Sequence, residues 1–208
     1  MTRVGAVILA AGQSSRYRAG GGQDLTKLVA KLDGKPIVRR VVEAALTAKA
    51  RPVVVVTGYE RNSVEEAVAD LGVELAFNPK FASGLASSLR VGLSAMPRNV
   101  VGALVLLGDM PWIGPRLADA LIDAFLARKE ALAAVPLRKG RRGNPVLLGR
   151  ELFEAAMCLE GDEGARRLIG ALNADELVEV EAPDVGVTSD IDTPDDLAAA
   201  RRFQGGDL

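Results

Sequence analysis

Continuous apolar runs alternate with amphipathic segments along most of the chain. The apolar runs are typical of buried strands and predict strands at residues 4–10, 52–57, 73–77, 102–107, 132–136, 144–148, 177–181 and 185–188. Apolar residues at helical spacing predict helices at residues 37–48, 63–71, 85–96, 115–129, 151–159, 164–172 and 193–203. Strands separated by helices of this length favour a mostly parallel sheet covered on both faces. We therefore expect a three-layer α/β fold.

The first strand ends in small residues and opens into a polar loop. Ala10, Ala11 and Gly12 let the backbone approach a ligand closely, and the loop at residues 13–16 follows. Arg16 and Lys27 come next along the chain, and their charges suit a phosphate chain. Residues 20–22 are all glycine and are interpreted as a flexible piece of the same site. This loop predicts a nucleoside triphosphate ligand.

Carboxylates follow two other predicted strands. Asp109 lies between Gly108 and Met110, and Asp190 and Asp192 alternate just before the last helix. Ligands of such sheets bind at the carboxyl ends of the strands, so we expect these residues to meet in one crevice with the first loop. Magnesium takes one or two protein carboxylates, so Asp109 with Asp190 or Asp192 would satisfy it.

Most of these residues also have a purely structural interpretation, although Asp190 is harder to explain in that way. Asp192 or Thr193 would serve equally well as the N-cap of the last helix. Asp109 would then be a turn residue satisfied by loop amides. Arg16 and Lys27 would be solvated loop charges. It is their joint placement that favours the site.

Composition narrows the class of protein. The 208 residues can form one domain, and the formal net charge of −1 argues against a nucleic-acid-binding or membrane-binding protein. The absence of histidine excludes a Ser-His-Asp or Cys-His hydrolase and a histidine-based zinc site. No apolar run is long enough to span a bilayer and the first one does not resemble a signal peptide, so we expect a cytoplasmic protein. The single cysteine, Cys158, is expected to be buried and inert.

Six strings in order along nearly the whole chain resemble the MobA-like nucleotidyltransferases. These strings are LAAGQSSR at 9–16, FASGLASSLRVGL at 81–93, LLGDMP at 106–111, GRRGNPVLLGRELF at 140–153, GDEGARRL at 161–168 and DIDTPDDL at 190–197. Within that group the chain looks most like the molybdenum cofactor cytidylyltransferases. The resemblance implies a Rossmann-like fold with a mixed, mostly parallel sheet. It also implies a single domain over residues 1–208, with an N-terminal nucleotide-binding half and a C-terminal acceptor-binding half.

The resemblance also implies roles for individual residues. The nucleotide would contact Leu9, Ala10, Ala11, Gly12, Ser14, Ser15, Arg16, Lys27, Gly84, Ser88, Gly108 and Asp109. Of these, Arg16, Lys27 and Asp109 would be catalytic, and Gly84 and Ser88 would contact the base. The metal would be Mg²⁺, held by Asp109 with Asp190 or Asp192. The acceptor would meet Arg142, Gly143, Asn144 and Pro145.

The implied reaction transfers CMP from CTP to molybdopterin-bound molybdenum and releases pyrophosphate. Relatives with Ala at the position of Ala11 tend to take CTP, and those with Gly there tend to take GTP. In-line transfer to a phosphorylated acceptor needs no histidine base, because such an acceptor arrives largely deprotonated. A molybdoenzyme that receives the product is an expected partner.

The sequence departs from the family pattern in two places. The loop at residues 18–24 is longer, and Asn144 stands where relatives commonly have His.

Three alternatives stand beside the cytidylyltransferase hypothesis. The first is the same fold with GTP or with another phosphorylated acceptor such as a sugar phosphate. The second is a non-catalytic protein that binds nucleotide or molybdenum cofactor as a chaperone. The third is a redox dinucleotide enzyme, which the lack of GxGxxG spacing disfavours.

Overall fold

An eight-stranded sheet runs through the middle of the part of the molecule that the computed structural model describes, residues 3–182 and 185–202. Seven strands follow one another across the sheet in the order β10, β7, β9, β6, β1, β4, β5, and β8 pairs with β7. Their bounds are β1 Arg3–Ala10, β4 Val53–Thr57, β5 Glu74–Phe77, β6 Val100–Leu107, β7 Ala133–Arg138, β8 Arg141–Arg142, β9 Val146–Gly149 and β10 Leu177–Glu181. A separate small hairpin pairs β2 Lys31–Leu32 with β3 Lys35–Pro36.

Most neighbouring strands of the sheet are parallel. Strands β6, β1, β4 and β5 pair in parallel, as do β7 and β10, whereas β9 runs antiparallel to both β6 and β7. The sheet is therefore mixed and mostly parallel, as the sequence predicts. The carboxyl ends of β1 and β6, the two central strands that precede the predicted site residues, lie side by side in register Leu9 to Leu107.

Helices cover both faces of this sheet. Their bounds are α1 Ser15–Ala19, α2 Ile37–Thr47, α3 Arg61–Ala67, α4 Leu85–Ser94, α5 Pro115–Ala127, α6 Phe153–Met157, α7 Arg166–Gly170 and α8 Pro194–Arg202. Single 3-10 turns occur at Lys27–Val29, Phe81–Ser83, Arg150–Leu152 and Val185–Thr188.

Two apolar cores separate the layers. Along β1, Ala6 and Ile8 face a core built with α2 and α5, and the alternating Val7 and Leu9 face a second core built with α4 and α6. This alternation arises because successive strand residues point to opposite faces. The result is the predicted three-layer α/β arrangement. No helix in the described ranges has the length and apolar character to cross a membrane.

Three sequence-based predictions of local structure were wrong. Residues 185–188 form a 3-10 turn instead of a strand. The Val187 carbonyl accepts a hydrogen bond from the Asn144 amide, but the segment does not join the sheet as a strand. The start of the polar loop coils into α1, whose Tyr17 is buried. Cys158 is exposed, because α6 ends at Met157 and the apolar face continues through Ala156 and Leu159.

Several predicted helices are shorter than their apolar spacing indicated. Helix α3 ends at Ala67, α5 ends at Ala127, and the predicted helices at 151–159 and 164–172 shrink to α6 and α7 of five residues each. The last helix begins at Pro194 and is described to Arg202, so the predicted end at Phe203 lies outside the described residues.

Candidate active site

Three chain segments meet at the carboxyl edge of the sheet. The Gly108 amide donates a hydrogen bond to the Leu9 carbonyl at 2.9 Å, which joins the ends of β1 and β6. The Ile191 amide donates to the Asp109 carbonyl at 3.1 Å, which brings the segment before α8 to the same place. The structure thus brings Asp109, Asp190 and Asp192 together beside the first loop.

Lys27 lies between two of these carboxylates. Its Nζ is 2.6 Å from Asp109 Oδ2 and 2.5 Å from Asp192 Oδ1, and its side chain is only 11% exposed. Burial alone would lower the pKa of Lys27, but the charges and hydrogen bonds of Asp109 and Asp192 outweigh it and raise the pKa above its ordinary value. Lys27 is therefore a fixed positive charge at the centre of the site.

The hydroxyl of Ser14 holds the start of the Lys27 turn. Ser14 is buried with a left-handed backbone, at φ 52°, and its Oγ lies 2.7 Å from Thr26 Oγ1. The same Oγ accepts a hydrogen bond from the Lys27 amide at 3.2 Å. The side chain of Ser14 thus positions Lys27. The sequence did not reveal this role, because nothing in it indicates that Ser14 contacts Thr26.

The carboxylates form a cluster suited to a hard cation. One ligand oxygen from each of Asp109, Asp190 and Asp192 lies within 4.8 Å of the other two. Asp109 Oδ1 is buried and, within the described ranges, accepts no hydrogen bond. A buried carboxylate oxygen without a partner is costly unless a cation supplies one. The residues present therefore fit a divalent metal ion with oxygen ligands.

The pKa values of the two outer carboxylates move apart. Burial raises the pKa of Asp190, and the neighbouring charges of Asp192 and Asp109 raise it further. Burial also acts to raise the pKa of Asp192, but its hydrogen bond and charge interaction with Lys27, together with Arg16, lower the net value. Lys27 and Arg16 thus stabilise the ionised form of Asp192, whereas burial and the two neighbouring carboxylates outweigh the opposing charge of Lys27 at Asp190.

Thr193, and not Asp192, caps helix α8. Asp196 Oδ2 accepts hydrogen bonds from the Asp192 and Thr193 amides, and the Asp196 amide donates to Thr193 Oγ1 at 3.1 Å. This reciprocal pattern is a capping box. Ile191 is fully buried, which anchors the segment between the two carboxylates. Asp192 is therefore free to pair with Lys27.

Replacing Thr193 with Ala should remove the cap and lower the free energy of unfolding by about 1 kcal/mol. For a chain of this size, the midpoint of thermal unfolding should fall by roughly 2–4 °C. Thr47→Ala is the matched control, because Thr47 lies at the exposed end of α2 and its hydroxyl only donates to the Glu43 carbonyl. An equal loss of stability in both variants would contradict the capping role.

Arg16 and the loop that follows it lie on the solvent side of the acidic cluster. Arg16 forms an ion pair with Asp192, and its side chain is 77% exposed. Tyr17 is buried and donates a hydrogen bond to Asp24 at 3.0 Å, which closes the loop. Gly22 lies against the Tyr17 ring and Gly20 against Pro194. Residues 20–22 line neither of the two cavities described below.

The first cavity, of about 440 Å³, contains most of the residues predicted for the nucleotide. Its lining includes Leu9, Ala11, Gly12, Ser15, Lys27, Gly84, Ser88 and Asp109. Its apolar walls include Phe81, Leu85 and Leu107, and its polar and charged side chains are Gln13, Ser15, Lys27, Ser88, Asp109 and Asp162. Ala10, Ser14, Arg16 and Gly108 are not part of that lining.

Gly84 holds one wall of this cavity against a neighbouring loop. Its φ is 100°, and a Cβ there would come within 2.2 Å of the Gly161 carbonyl oxygen. The Ala86 amide donates to that carbonyl at 3.0 Å. The 161–164 loop thus packs on the start of α4 and brings Asp162 into both cavities, a residue to which the sequence had assigned no role.

The second cavity, of about 730 Å³, adjoins the first and shares Leu9, Leu85, Leu107 and Asp162 with it. Arg142, Gly143 and Asn144 line it, as does Asp190, whereas Pro145 does not. Arg142 pairs with Glu179 at 2.7 Å. The Asn144 amide donates to the Val187 carbonyl at 2.9 Å, so the predicted acceptor loop is bonded to the segment that leads to Asp190.

A family model described as the MobA-like NTP transferase domain matches residues 6–177. The chain belongs to this family. The MobA-like chain is 28% identical to the molybdenum cofactor cytidylyltransferase of Escherichia coli K12, with 97% of each chain covered. It is also 33% identical to the bifunctional protein GlmU of Symbiobacterium thermophilum over 75% of its own length, but it spans only 31% of that relative.

Solved structures agree with the MobA-like fold. A nucleotidyl transferase from Methanothermobacter superposes with a TM-score of 0.84 at 24% identity, with 97% of each chain covered. Rv0371c of Mycobacterium tuberculosis, in a complex with manganese, superposes with a TM-score of 0.80 at 23% identity, with 97% of this chain and all of that one covered. The nucleotidyltransferase fold and family of the chain are therefore shown.

Proposed function

We propose that this protein is a magnesium-dependent cytidylyltransferase that transfers CMP from CTP to molybdenum-bound molybdopterin and releases pyrophosphate. The observation that carries the proposal is the cluster of Lys27, Asp109 and Asp192, two of which line the first cavity, in a chain similar to a molybdenum cofactor cytidylyltransferase over 97% of its length. We propose further that residues 1–208 act as one domain. Its N-terminal half would hold the nucleotide and its C-terminal half the acceptor.

The first cavity suits a nucleoside triphosphate with its phosphates at the charged end. Gly12 and Ser15 lie at the loop that follows β1, and Lys27 supplies a fixed positive charge beside them. A preorganised charge of this kind stabilises negative charge that builds up on the departing pyrophosphate. Arg16 is exposed at the rim and would add a second positive charge. Ala11 in the lining supports CTP as the nucleotide.

Asp109, with Asp190 or Asp192, would hold the magnesium ion. When bound, this ion would act as a Lewis acid on phosphate oxygens and as a template for the two substrates. Two observations support a divalent cation here: Asp109 Oδ1 has no hydrogen-bond partner among the described residues, and the similar Rv0371c forms a complex with manganese. Lys27 would keep Asp192 ionised and in place, because it pairs with that carboxylate and lowers its pKa.

The second cavity suits the acceptor. Asp190 lines it, so an acceptor bound there would lie beside the acidic cluster. Asn144 offers both a donor and an acceptor of hydrogen bonds, and Arg142 offers a positive charge at the edge of the cavity. A phosphate monoester acceptor needs no protein base, because it is already largely deprotonated. The protein's task is then to hold both substrates in line.

Replacing Gly12 with Ala should weaken nucleotide binding without harming the fold. A Cβ at position 12 meets no atom within 4 Å, so the protein itself tolerates it, but the new methyl group would extend into the first cavity. We expect the KM for CTP to rise roughly tenfold, a loss of about 1.4 kcal/mol. Gly72→Ala is the matched control, because its Cβ also meets nothing and position 72 is outside both cavities. An unchanged KM in Gly12→Ala would contradict this placement of the nucleotide.

The chain is also similar to the bifunctional protein GlmU, and the alternative to the proposal is a nucleotidyltransferase of the same fold with a sugar phosphate acceptor. This similarity covers 75% of the chain at 33% identity. The two functions are separated by measuring pyrophosphate release in a matrix of nucleotides and acceptors with Mg²⁺. Release with CTP and molybdenum-bound molybdopterin supports the proposal. Release only with a sugar phosphate, or only with GTP or UTP, replaces it.

A further inference from the structure

Asn78 lies directly after β5, at the same edge of the sheet as the acidic cluster, and is 1% exposed. Its amide donates to the Thr57 carbonyl at 2.8 Å, so its backbone is fixed to the end of β4. A buried side-chain amide requires partners for its oxygen and for its two N–H groups. All of these partners are present, and they come from one segment of the chain.

The hydrogen bonds of Asn78 determine which way its side chain faces. Oδ1 accepts from the Lys80 amide at 2.9 Å, and a backbone N–H can only donate. Nδ2 therefore points the other way and donates to Ser87 Oγ at 2.8 Å and to Ser88 Oγ at 3.0 Å. Both serine oxygens thus act as acceptors toward Asn78.

The two serines differ in where their own protons go. The Ser87 hydroxyl lies 2.8 Å from the Gly84 carbonyl and 3.0 Å from the Lys80 carbonyl, so its proton has an acceptor inside the protein. Ser88 lines the first cavity, and its hydroxyl makes no second hydrogen bond in the described part of the chain. Its proton is therefore available to a ligand bound in this cavity.

We propose that Asn78 is a positioning residue that fixes Ser88 as a hydrogen-bond donor toward the base of the nucleotide. The inference rests on the proposed function, which places the base of CTP in the first cavity. Cytosine carries two acceptors, the carbonyl O2 and ring N3, and a donor fixed at Ser88 matches either of them. Asn78 itself touches no substrate, because it is buried behind the two serines.

Replacing Asn78 with Asp tests this directly, because Asp has nearly the same shape but only accepts hydrogen bonds when ionised. Lys80 can still donate to one carboxylate oxygen, but Ser88 would now donate to the other oxygen and offer only lone pairs to the cavity. We expect the Kd for CTP, measured by calorimetry with Mg²⁺, to rise about tenfold or more. The Kd for inorganic tripolyphosphate, which has no base, should stay within about twofold.

A double-mutant cycle separates positioning from general damage. Ser88→Ala should also raise the Kd for CTP about tenfold, and adding the change at position 78 should cost nothing further, because the effect runs through Ser88. Ser87→Ala is the matched neighbour and should leave the preference for CTP over tripolyphosphate unchanged. Asn173→Asp controls for an added charge on an exposed residue. Asn78→Ala, which adds no charge, is the second variant for the same cycle.

Three results would overturn the inference. These are an unchanged Kd for CTP in both variants at position 78, an equal loss of CTP and tripolyphosphate affinity, or additive effects with Ser88→Ala. In each case the wild-type protein still binds CTP, and the proposed function stands. Wild-type protein that binds CTP no more tightly than tripolyphosphate would instead overturn the proposed cytidylyltransferase function, and the inference with it.

Discussion

Turnover should fall at least a hundredfold when Asp109 is replaced with Asn, with little loss of stability. Asp109 Oδ1 is buried and has no hydrogen-bond partner in the described part of the chain, and losing the cation that it would hold removes charge stabilisation of the kind that is worth roughly 10²–10³ in rate. The amide keeps the shape of the side chain, and Lys27 keeps its second carboxylate partner, Asp192, so the loss of stability should be small. The measurement is steady-state pyrophosphate release with saturating CTP, acceptor and Mg²⁺, beside a thermal unfolding curve.

Asp123→Asn is the control for this substitution. Asp123 also pairs with a lysine, Lys49, at 2.6 Å, but its side chain is 59% exposed on the far side of α5. Its replacement should leave turnover within about twofold, because exposed ion pairs contribute little. Turnover of Asp109→Asn within tenfold of the wild-type rate would contradict a metal-holding role for Asp109.

Replacing Lys27 with Met should make folding depend on a divalent cation. Lys27 neutralises Asp109 and Asp192, and without it three clustered carboxylates repel one another. Breaking a buried pair by removing one partner costs about 3 kcal/mol in free energy of unfolding. We expect this loss in urea unfolding with EDTA present, and we expect millimolar Mg²⁺ to recover much of it. Mg²⁺ should stabilise the wild-type protein far less, because Lys27 already supplies positive charge there.

Lys35→Met gives the comparison for Lys27. Lys35 pairs with Glu43 at 2.8 Å, but its side chain is 55% exposed, so stability should stay within about 0.5 kcal/mol with or without the cation. Stability of Lys27→Met that is equally low in EDTA and in Mg²⁺ would show that the cluster does not hold a metal ion.

The sheet and the meeting of its strand ends were predictable because both follow from long-range regularities. Apolar runs separated by amphipathic helices leave few arrangements other than a covered parallel sheet. Residues that follow Ala10 and Leu107 must then lie at one edge, and the structure places Lys27 and Asp109 2.6 Å apart there. The antiparallel β9 is consistent with the mixed sheet implied by the family resemblance.

Local details were less accessible because they depend on individual hydrogen bonds. The capping box of Thr193 and Asp196, the placement of Ser14, and the 3-10 turn at Val185–Thr188 are each decided by a few contacts with distant residues or with one helix end. Asn78 had a usable signal, since it is a polar residue immediately after a predicted strand at the active edge. The exposure of Cys158 depended on where α6 stops, and helical spacing alone predicts such ends poorly.

The most direct test of the central claim is pyrophosphate release measured with each of the four nucleoside triphosphates. Each is supplied with molybdenum-bound molybdopterin and Mg²⁺, with and without EDTA. The proposed function predicts release with CTP that exceeds release with the other three at least tenfold and that stops in EDTA. Release that is equal or faster with GTP or UTP, or that continues unchanged in EDTA, would contradict a magnesium-dependent cytidylyltransferase.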